Sequence, residues 1–343
     1  MQEKNSYPLW IGIDVSKESF TAACRSIVRD ERTRFPLQDK FSLDKKGVGE
    51  FMRWAKEQAG CFGIGMAMEA TGVYSRRLAK LIRSVSPQQH VAICNARSVS
   101  LYARSFSDEK NDRIDAERIA MYACDRNPQQ PRTKDKAETR LQELVRERDR
   151  MVDRKQAMVN SGEGLESADI RKIHTAVIKS MEKAIAKLDR LISETVNSSE
   201  EIKGEVRRMM SIPGVAITSA ACIYAELGSL KNYTRKQISA MSGVCPTNRK
   251  SGTSVDKHGI SHRGSSLLRK ILYLDSFQAI RLIPSMKELH ARMLAKPNSS
   301  KNTARCACMR KLLLILHSMV VNDSDYIPGY KPEKRIIPSE KTA

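Results

Sequence analysis

The sequence predicts an α/β domain followed by an all-α region, and three observations carry that expectation. From Leu9 to about Cys124, short apolar runs alternate with amphipathic helical stretches. From about Lys134 to Met209 the chain changes to long polar segments in which apolar or small residues recur at spacings of three and four. After Ser211 it becomes more apolar, again with helical character. Strands alternating with helices build a mixed sheet, whereas long periodic stretches without strand signals build helices.

Taken in order, "LWIGIDV", "FTAACRSIV", "FGIGMAME" and "HVAICN" read as strands, because each is a short apolar run bounded by polar or turn-forming residues. "GVGEFMRWAKEQ" and "YSRRLAKLIRS" read as amphipathic helices, and "NDRIDAERIAMYA" as a third, with Ile114, Ile119, Ala120 and Ala123 supplying its apolar face. In the middle region the periodic positions are Ile170, Ile173, Val177, Met181, Ala184, Leu188 and Leu191, and more loosely Ala137, Leu141, Leu144, Met151 and Met158. Two helices joined by the loop around "NSGEGLES" are therefore expected to form a coiled-coil hairpin. Arg148 and Lys155 interrupt its seam, which leaves room for a second chain to pack there. Beyond Ser211, "IPGVAITSAACIYAELG" resembles a helix-hairpin-helix, followed by a Gly/Ser/basic loop from Gly243 to Gly264. The tail after Asp325, with Pro328, Pro332 and Pro338, reads as disordered or loosely attached. The expected division is 1–130 for the α/β domain, 131–208 for the helical hairpin, 209–325 for a C-terminal helical domain and 326–343 for a flexible tail.

Composition narrows the function classes. A chain of 343 residues, 41% of them hydrophobic, can bury real cores. Sixty Lys and Arg against 39 Asp and Glu give a formal charge of +21. That excess favours a polyanionic partner, because each neutralised phosphate releases condensed counterions. No apolar run approaches the roughly 20 residues needed to span a bilayer, and the N-terminus lacks the charged-then-apolar order of a signal peptide. The expectation is a cytoplasmic protein with no membrane contact and nucleic acid as partner. The eight cysteines are scattered among apolar neighbours without the paired spacing of a zinc site, and read as reduced structural thiols.

Four acids stand out. Asp14 lies within an apolar strand, where a carboxylate is costly unless paired, hydrogen-bonded or bound to a metal. Glu69 ends a second apolar strand and precedes the small, turn-forming "ATG". Asp112 and Asp115, three apart, share one face of a helix, flanked by Lys110, Arg113 and Arg118. Each feature alone has an ordinary structural reading. Together they supply four hard oxygen donors, which suit two Mg²⁺ or Mn²⁺ ions rather than zinc. Two such ions could activate a nucleophile and stabilise a leaving oxygen in phosphodiester cleavage.

"IGIDVSK" around Asp14, "MEATGVY" around Glu69 and "KNDRIDAERIA" around Asp112 and Asp115 resemble the DEDD motifs of the insertion sequence 110 family of transposases, relatives of the Piv DNA invertases. "IPGVAITSAACIYAELGSL", "ISAMSGVCPTNRKSGTS" and "GISHRGSSLLRKILYL" resemble that family's C-terminal transposase domain, so the similarity runs in order over about residues 9 to 280. It departs at Asn111, where Thr is common, and at Ala96 after Asn95, where Pro is usual. The resemblance implies a ribonuclease-H-like (RuvC-like) N-terminal domain, a coiled-coil middle and a helical C-terminal domain with a nucleophilic serine. It further implies a recombinase guided by a bridge RNA that pairs with donor and target DNA. The four acids fall on the family's metal ligands, and the serine on Ser251, with Ser254 as the alternative.

The residues around Ser251 fit that role in charge. Arg249, Lys250, Lys257, Arg263, Arg269 and Lys270 stand against Asp256 alone between Pro246 and Leu274. A hydroxyl in such a segment lies in a phosphate-attracting field, and a serine needs help of that kind to attack phosphorus. Cutting and rejoining four strands requires at least a homodimer, and a homotetramer fits as well. Two other readings stay open: a RuvC-like nuclease or Holliday junction resolvase without a covalent step, and a sugar-kinase or actin-like ATPase suggested by "IGIDVSKESF". The second lacks a later glycine-rich adenine loop and sits poorly with +21.

Overall fold

The computed structural model describes residues 7–26, 39–60, 63–104, 112–132, 134–251, 255–261, 264–297 and 299–330, without the side chains at 26, 112–113, 246–251 and 255–259. The chain divides into two units, Met1–Thr133 and Lys134–Ala343.

The first unit is built on a five-stranded sheet. β1 (Leu9–Val15), β2 (Ser19–Ser26) and β3 (Asp39–Ser42) pair antiparallel, and β4 (Ile64–Glu69) and β5 (His90–Cys94) extend the other edge of β1 in parallel, giving the order β3-β2-β1-β4-β5. Around it lie α1 (Lys45–Ala59), α2 (Val73–Val85), α3 (Ala96–Ala103) and α4 (Asp112–Arg126). The two-residue period of β1 sorts its side chains. Ile11, Ile13 and Val15 enter a core with Phe51 of α1 and with Leu78 and Ile82 of α2. Trp10 enters a separate core with Ala67, Ala92 and, from α4, Ile119 and Ala123. α1 starts at an N-cap, where Asp44 accepts from Gly47 N at 2.7 Å, and its buried Val48, Phe51, Met52, Ala55 and Ala59 follow the helical period.

The second unit is helical: α5 (Lys136–Ser161), α6 (Ala168–Asn197), α7 (Glu200–Met210), α8 (Ile217–Leu227), α9 (Arg235–Ser242), α10 (Ser266–Leu282), α11 (Pro284–Leu294) and α12 (Lys301–Val321), with one strand pair, β6 (Pro246–Ser251) and β7 (Val255–Ile260). A capping box between Asp135 and Glu138 starts α5. α5 and α6 form an antiparallel hairpin. Arg148 and Lys155 span its seam as ion pairs, Arg148 to Asp189 and Lys155 to Glu182 at 3.5 Å. The base of the hairpin is part of the main core, since Leu141, Val145, Ile192 and Val196 pack with residues of α7 to α12. α12 is the central element, with Leu312, Leu313 and Leu316 fully buried. Each contributes roughly 1.5–3 kcal/mol of burial free energy.

Two differences from the expected layout have physical reasons. β3 and α3 are short, four and eight residues, and too brief to register as a period. The segment from Gly243 to Gly264, expected as a loop, contains the β6–β7 hairpin, whose "PTNRKS" and "VDKHGI" carry no apolar alternation. Most of the tail, 331–343, lies outside the described residues. Among the described residues no helix is long and apolar enough to cross a membrane.

Candidate active site

Asp14 and Glu69 owe their relation to strand register. β1 and β4 run parallel, with Gly12 opposite Ala67 and Ile13 opposite Met68. Continuing that register sets Asp14 beside Glu69 at the carboxyl ends of adjacent strands, the end at which α/β sheets generally hold ligands. Both are half-buried. By the alternation of the strands they share the face of Trp10, Gly12 and Ala67, which is the face that α4 covers.

α4 reaches that face because the surfaces between them are nearly bare. A Cβ at Gly12 would fall 2.1 Å from the Ala116 carbonyl oxygen and 2.3 Å from the Ala120 nitrogen, so the helix backbone rests on the strand backbone. Ala116, Ala120 and Ala123 are buried, and their spacing of four and three keeps them on one side of α4. The contacts also fix direction. Trp10 packs with Ile119 and Ala123, whereas Gly12 meets Ala116 and Ala120, so α4 runs opposite to β1. Its first turns, carrying Asp112 and Asp115, therefore lie toward the Asp14 end of the strand.

Asp115 is half-buried and ion-paired at 3.7 Å with Arg118, whose side chain is buried. Asp112 and Arg113 begin α4, but their side chains lie outside the described residues, as does Lys110 altogether. Among the described residues, no three His, Cys, Asp or Glu side chains are grouped so as to hold a metal ion. The donor chemistry fits a hard cation: the nearest thiol in register is Cys94, paired with Glu69 across β4 and β5. Burial, and then the charge of Glu69, pushes that thiol up to about 12, and the hard donors at these strand ends are the carboxylates. Asn95 caps α3 by accepting from Arg97 N and Ser98 N, placing Ala96 at the first helical position, where proline is favoured but not required.

Gly12→Ala tests this packing. The added methyl must push α4 off β1, at a cost of about 1–3 kcal/mol. The expected outcome in urea unfolding is a lowered midpoint, together with a loss of DNA cleavage larger than the stability change explains. An unchanged midpoint would mean that α4 does not rest on this strand.

The second group of candidates lies in the other unit. Ser251 is the last paired residue of β6, opposite Val255. The register sets Arg249 opposite Lys257, and Lys250 opposite Asp256. Like charges at directly opposed positions destabilise a strand pair. Ser254 and Arg263 lie outside the described residues. Arg269 is half-buried and donates to the Gly264 carbonyl at 3.1 Å. Lys270 is engaged differently, its ammonium held by Asp149 at 2.6 Å and by Asp153, both on α5. Burial alone would lower its pKa, but the bonds to the two carboxylates outweigh that and hold it above the usual lysine value. It joins α10 to α5, with its charge already balanced.

Two features escaped sequence reasoning. Gly12 and the alanines of α4 left a readable signal, small residues at matching spacings. Arg118 stands three residues after Asp115, an ordinary helix ion-pair spacing that did not reveal its burial.

Comparison with known proteins identifies the family. Residues 11–165 match a family model of the DEDD IS110 type described as "Transposase". Residues 206–291 match one described as "Transposase IS116/IS110/IS902 family". A pilin gene-inverting protein of Moraxella bovis is 24% identical over 318 residues, covering 91% of this chain and 95% of that protein. The transposase for insertion sequence element IS1328 of Yersinia enterocolitica is 26% identical over 347 residues, covering 89% and 94%. The transposase for insertion sequence element IS1111A of Coxiella burnetii is 26% identical over 209 residues, covering 52% and 57%. With both matched segments in order along one chain, and a five-stranded sheet beneath the first, the protein belongs to the IS110 family of transposases.

Proposed function

We propose that this transposase is an RNA-guided DNA recombinase that works with Mg²⁺ or Mn²⁺ held by Asp14, Glu69, Asp112 and Asp115, and with Ser251 as nucleophile. What supports the reading is the parallel register of β1 and β4, which carried one step further sets Asp14 beside Glu69, and the direction of α4, whose first turns with Asp112 and Asp115 run toward that end of β1. The strand order and the helix lying across β1 support a ribonuclease-H-like domain. When bound, the cation would neutralise charge at the scissile phosphate. The chain's own part is to hold four carboxylates on a rigid sheet and helix, with Arg118 fixing Asp115.

Ser251 is supported by its place at the end of a hairpin with Arg249 facing Lys257. The charge of +21 supports a polyanionic partner, and the family resemblance implies a bridge RNA alongside donor and target DNA. α5 and α6 support a coiled coil joining protomers of a homodimer or homotetramer. Their seam is covered near the base, but Ile170, Ile173 and Val177 of α6 are exposed, Ile173 by 67%. The working segments are then 1–130 for the RuvC-like DEDD domain, 131–208 for the hairpin, 209–325 for the serine-bearing domain and 326–343 for a tail, in a protein of the cytoplasm.

Purification from cells carrying the whole element tests the reading. The protein should retain an element-encoded RNA and scatter light as two or four protomers. After nuclease treatment it should cut no target DNA until that RNA is returned. Equal cutting without RNA would favour the alternative, a metal-dependent nuclease or junction resolvase.

A further inference from the structure

Beyond Arg269, nothing described so far uses the outer face of α10. Arg269, Tyr273, Phe277 and Arg281 follow one another at intervals of four, so they form a single stripe along this helix. Tyr273 is 38% exposed and Phe277 43%, large values for aromatic side chains on a folded surface. Their rings meet edge to face with centroids 5.1 Å apart. From α12, Arg305 lays its guanidinium 3.8 Å from the Phe277 centroid and 5.0 Å from that of Tyr273, and donates to the Tyr273 hydroxyl at 2.8 Å. Phe277 keeps its exposure although Arg305 already lies over it, so a substantial part of the ring stays open.

The electrostatic setting is one-sided. Arg269 and Arg281 bracket the two rings. The one carboxylate on α10, Asp275, is buried on the opposite side, where it accepts from Ser219 of α8. The turn between α7 and α8 borders the stripe. Gly214, at φ 91°, has room for no Cβ, which would fall 2.5 Å from the Gln278 Cβ.

We propose that this stripe of α10, with Arg305 of α12, is a stacking platform for unpaired nucleotides of single-stranded DNA. Aromatic faces interleaved with arginines match alternating bases and phosphates. In a duplex the base faces are closed within the stack, so rings on a convex helix can stack only on bases that have left it. An exposed apolar patch for a protein partner would not need cations at both ends and no exposed acid along the helix. The family's substrate is DNA, and moving strands between sites necessarily creates unpaired ends. The proposal rests on family membership and this surface, and stands whether or not an RNA guides the enzyme.

Fluorescence anisotropy on the full-length protein tests it, with labelled oligo-dT, a duplex of the same length and oligo-U as probes. Phe277→Ala and Tyr273→Ala should each weaken oligo-dT binding by about tenfold and change duplex binding by less than about twofold. Phe277→Trp should keep the affinity, and its added indole fluorescence should be quenched by oligo-dT. Equal losses for duplex and single strand would reduce the stripe to a general fold element and overturn the proposal. So would tighter and more variant-sensitive binding of oligo-U, which would assign the surface to RNA. If the alanine variants fail to fold by circular dichroism, the tryptophan variant decides: an indole unquenched at saturating oligo-dT rejects stacking.

Discussion

Asp14→Ala is expected to slow DNA strand cleavage by roughly 10²–10³-fold, the scale on which removing one preorganised electrostatic group acts at a reacting centre. It should leave nucleic-acid binding close to wild type, since the substitution removes an acid and none of the cations proposed to meet phosphate. Three features single out this residue. It is the next-to-last residue of β1, the central strand of the sheet, paired with Thr21 of β2 and one step past the pairing of Ile13 with Met68 of β4. It is half-buried, so its charge is only partly screened by water. It lies two residues past Gly12, beneath the helix that brings the other acids. Stability offers a second readout. A cation that binds the folded site and not the unfolded chain raises the melting temperature by mass action. Adding Mg²⁺ or Mn²⁺ should therefore raise the melting temperature of the wild type and leave that of Asp14→Ala nearly unchanged. Near-wild-type cleavage by the variant, or an equal response to the ions, would make the acids structural.

Much of this arrangement was readable before any coordinates, and the rest was not, for identifiable reasons. "LWIGIDV" and "FGIGMAME" are apolar runs ending on a carboxylate, so both the strands and their acids could be found locally. Their adjacency could not, because it depends on parallel pairing between residues more than fifty positions apart. β3 buries a single side chain, Phe41, too little to mark a strand. β6 and β7 are polar except for Pro246 and for Val255 and Ile260 at the ends of β7, so no hydrophobic period announces their ladder. Lys270 showed only its charge in the sequence. Its partners Asp149 and Asp153 stand on another helix, 121 and 117 residues away. The stripe of Arg269, Tyr273, Phe277 and Arg281 was visible as a spacing. Its meaning needed the burial of the opposite face of α10 and the arrival of Arg305 from α12.

Ser251→Ala is expected to abolish a covalent protein–DNA adduct that the assembled wild-type enzyme forms. In the step proposed here, the serine oxygen bonds to phosphorus as one ester bond of the strand breaks. The proton lost from the serine hydroxyl balances the proton gained by the departing strand's hydroxyl. The phosphodiester becomes a phosphoserine ester of similar energy, so a hydroxyl from another strand can reverse the reaction without ATP. The position suits this role. Ser251 closes the paired part of a hairpin and is followed by only three residues before β7 resumes at Val255, so the residue is held by a ladder rather than by a long loop. Arg249 and Lys257, opposed in register two residues back, bring two cations to one rung, where a scissile phosphate would offset their repulsion. Ser251 and the four acids belong to different units of the chain. Denaturing gels of labelled DNA, with mass spectrometry of the shifted band, should show the adduct for wild type and Ser254→Ala and none for Ser251→Ala. An adduct surviving in Ser251→Ala would move the nucleophile elsewhere. Cleavage without any adduct in the assembled wild type would replace the serine mechanism with direct hydrolysis at the acidic site.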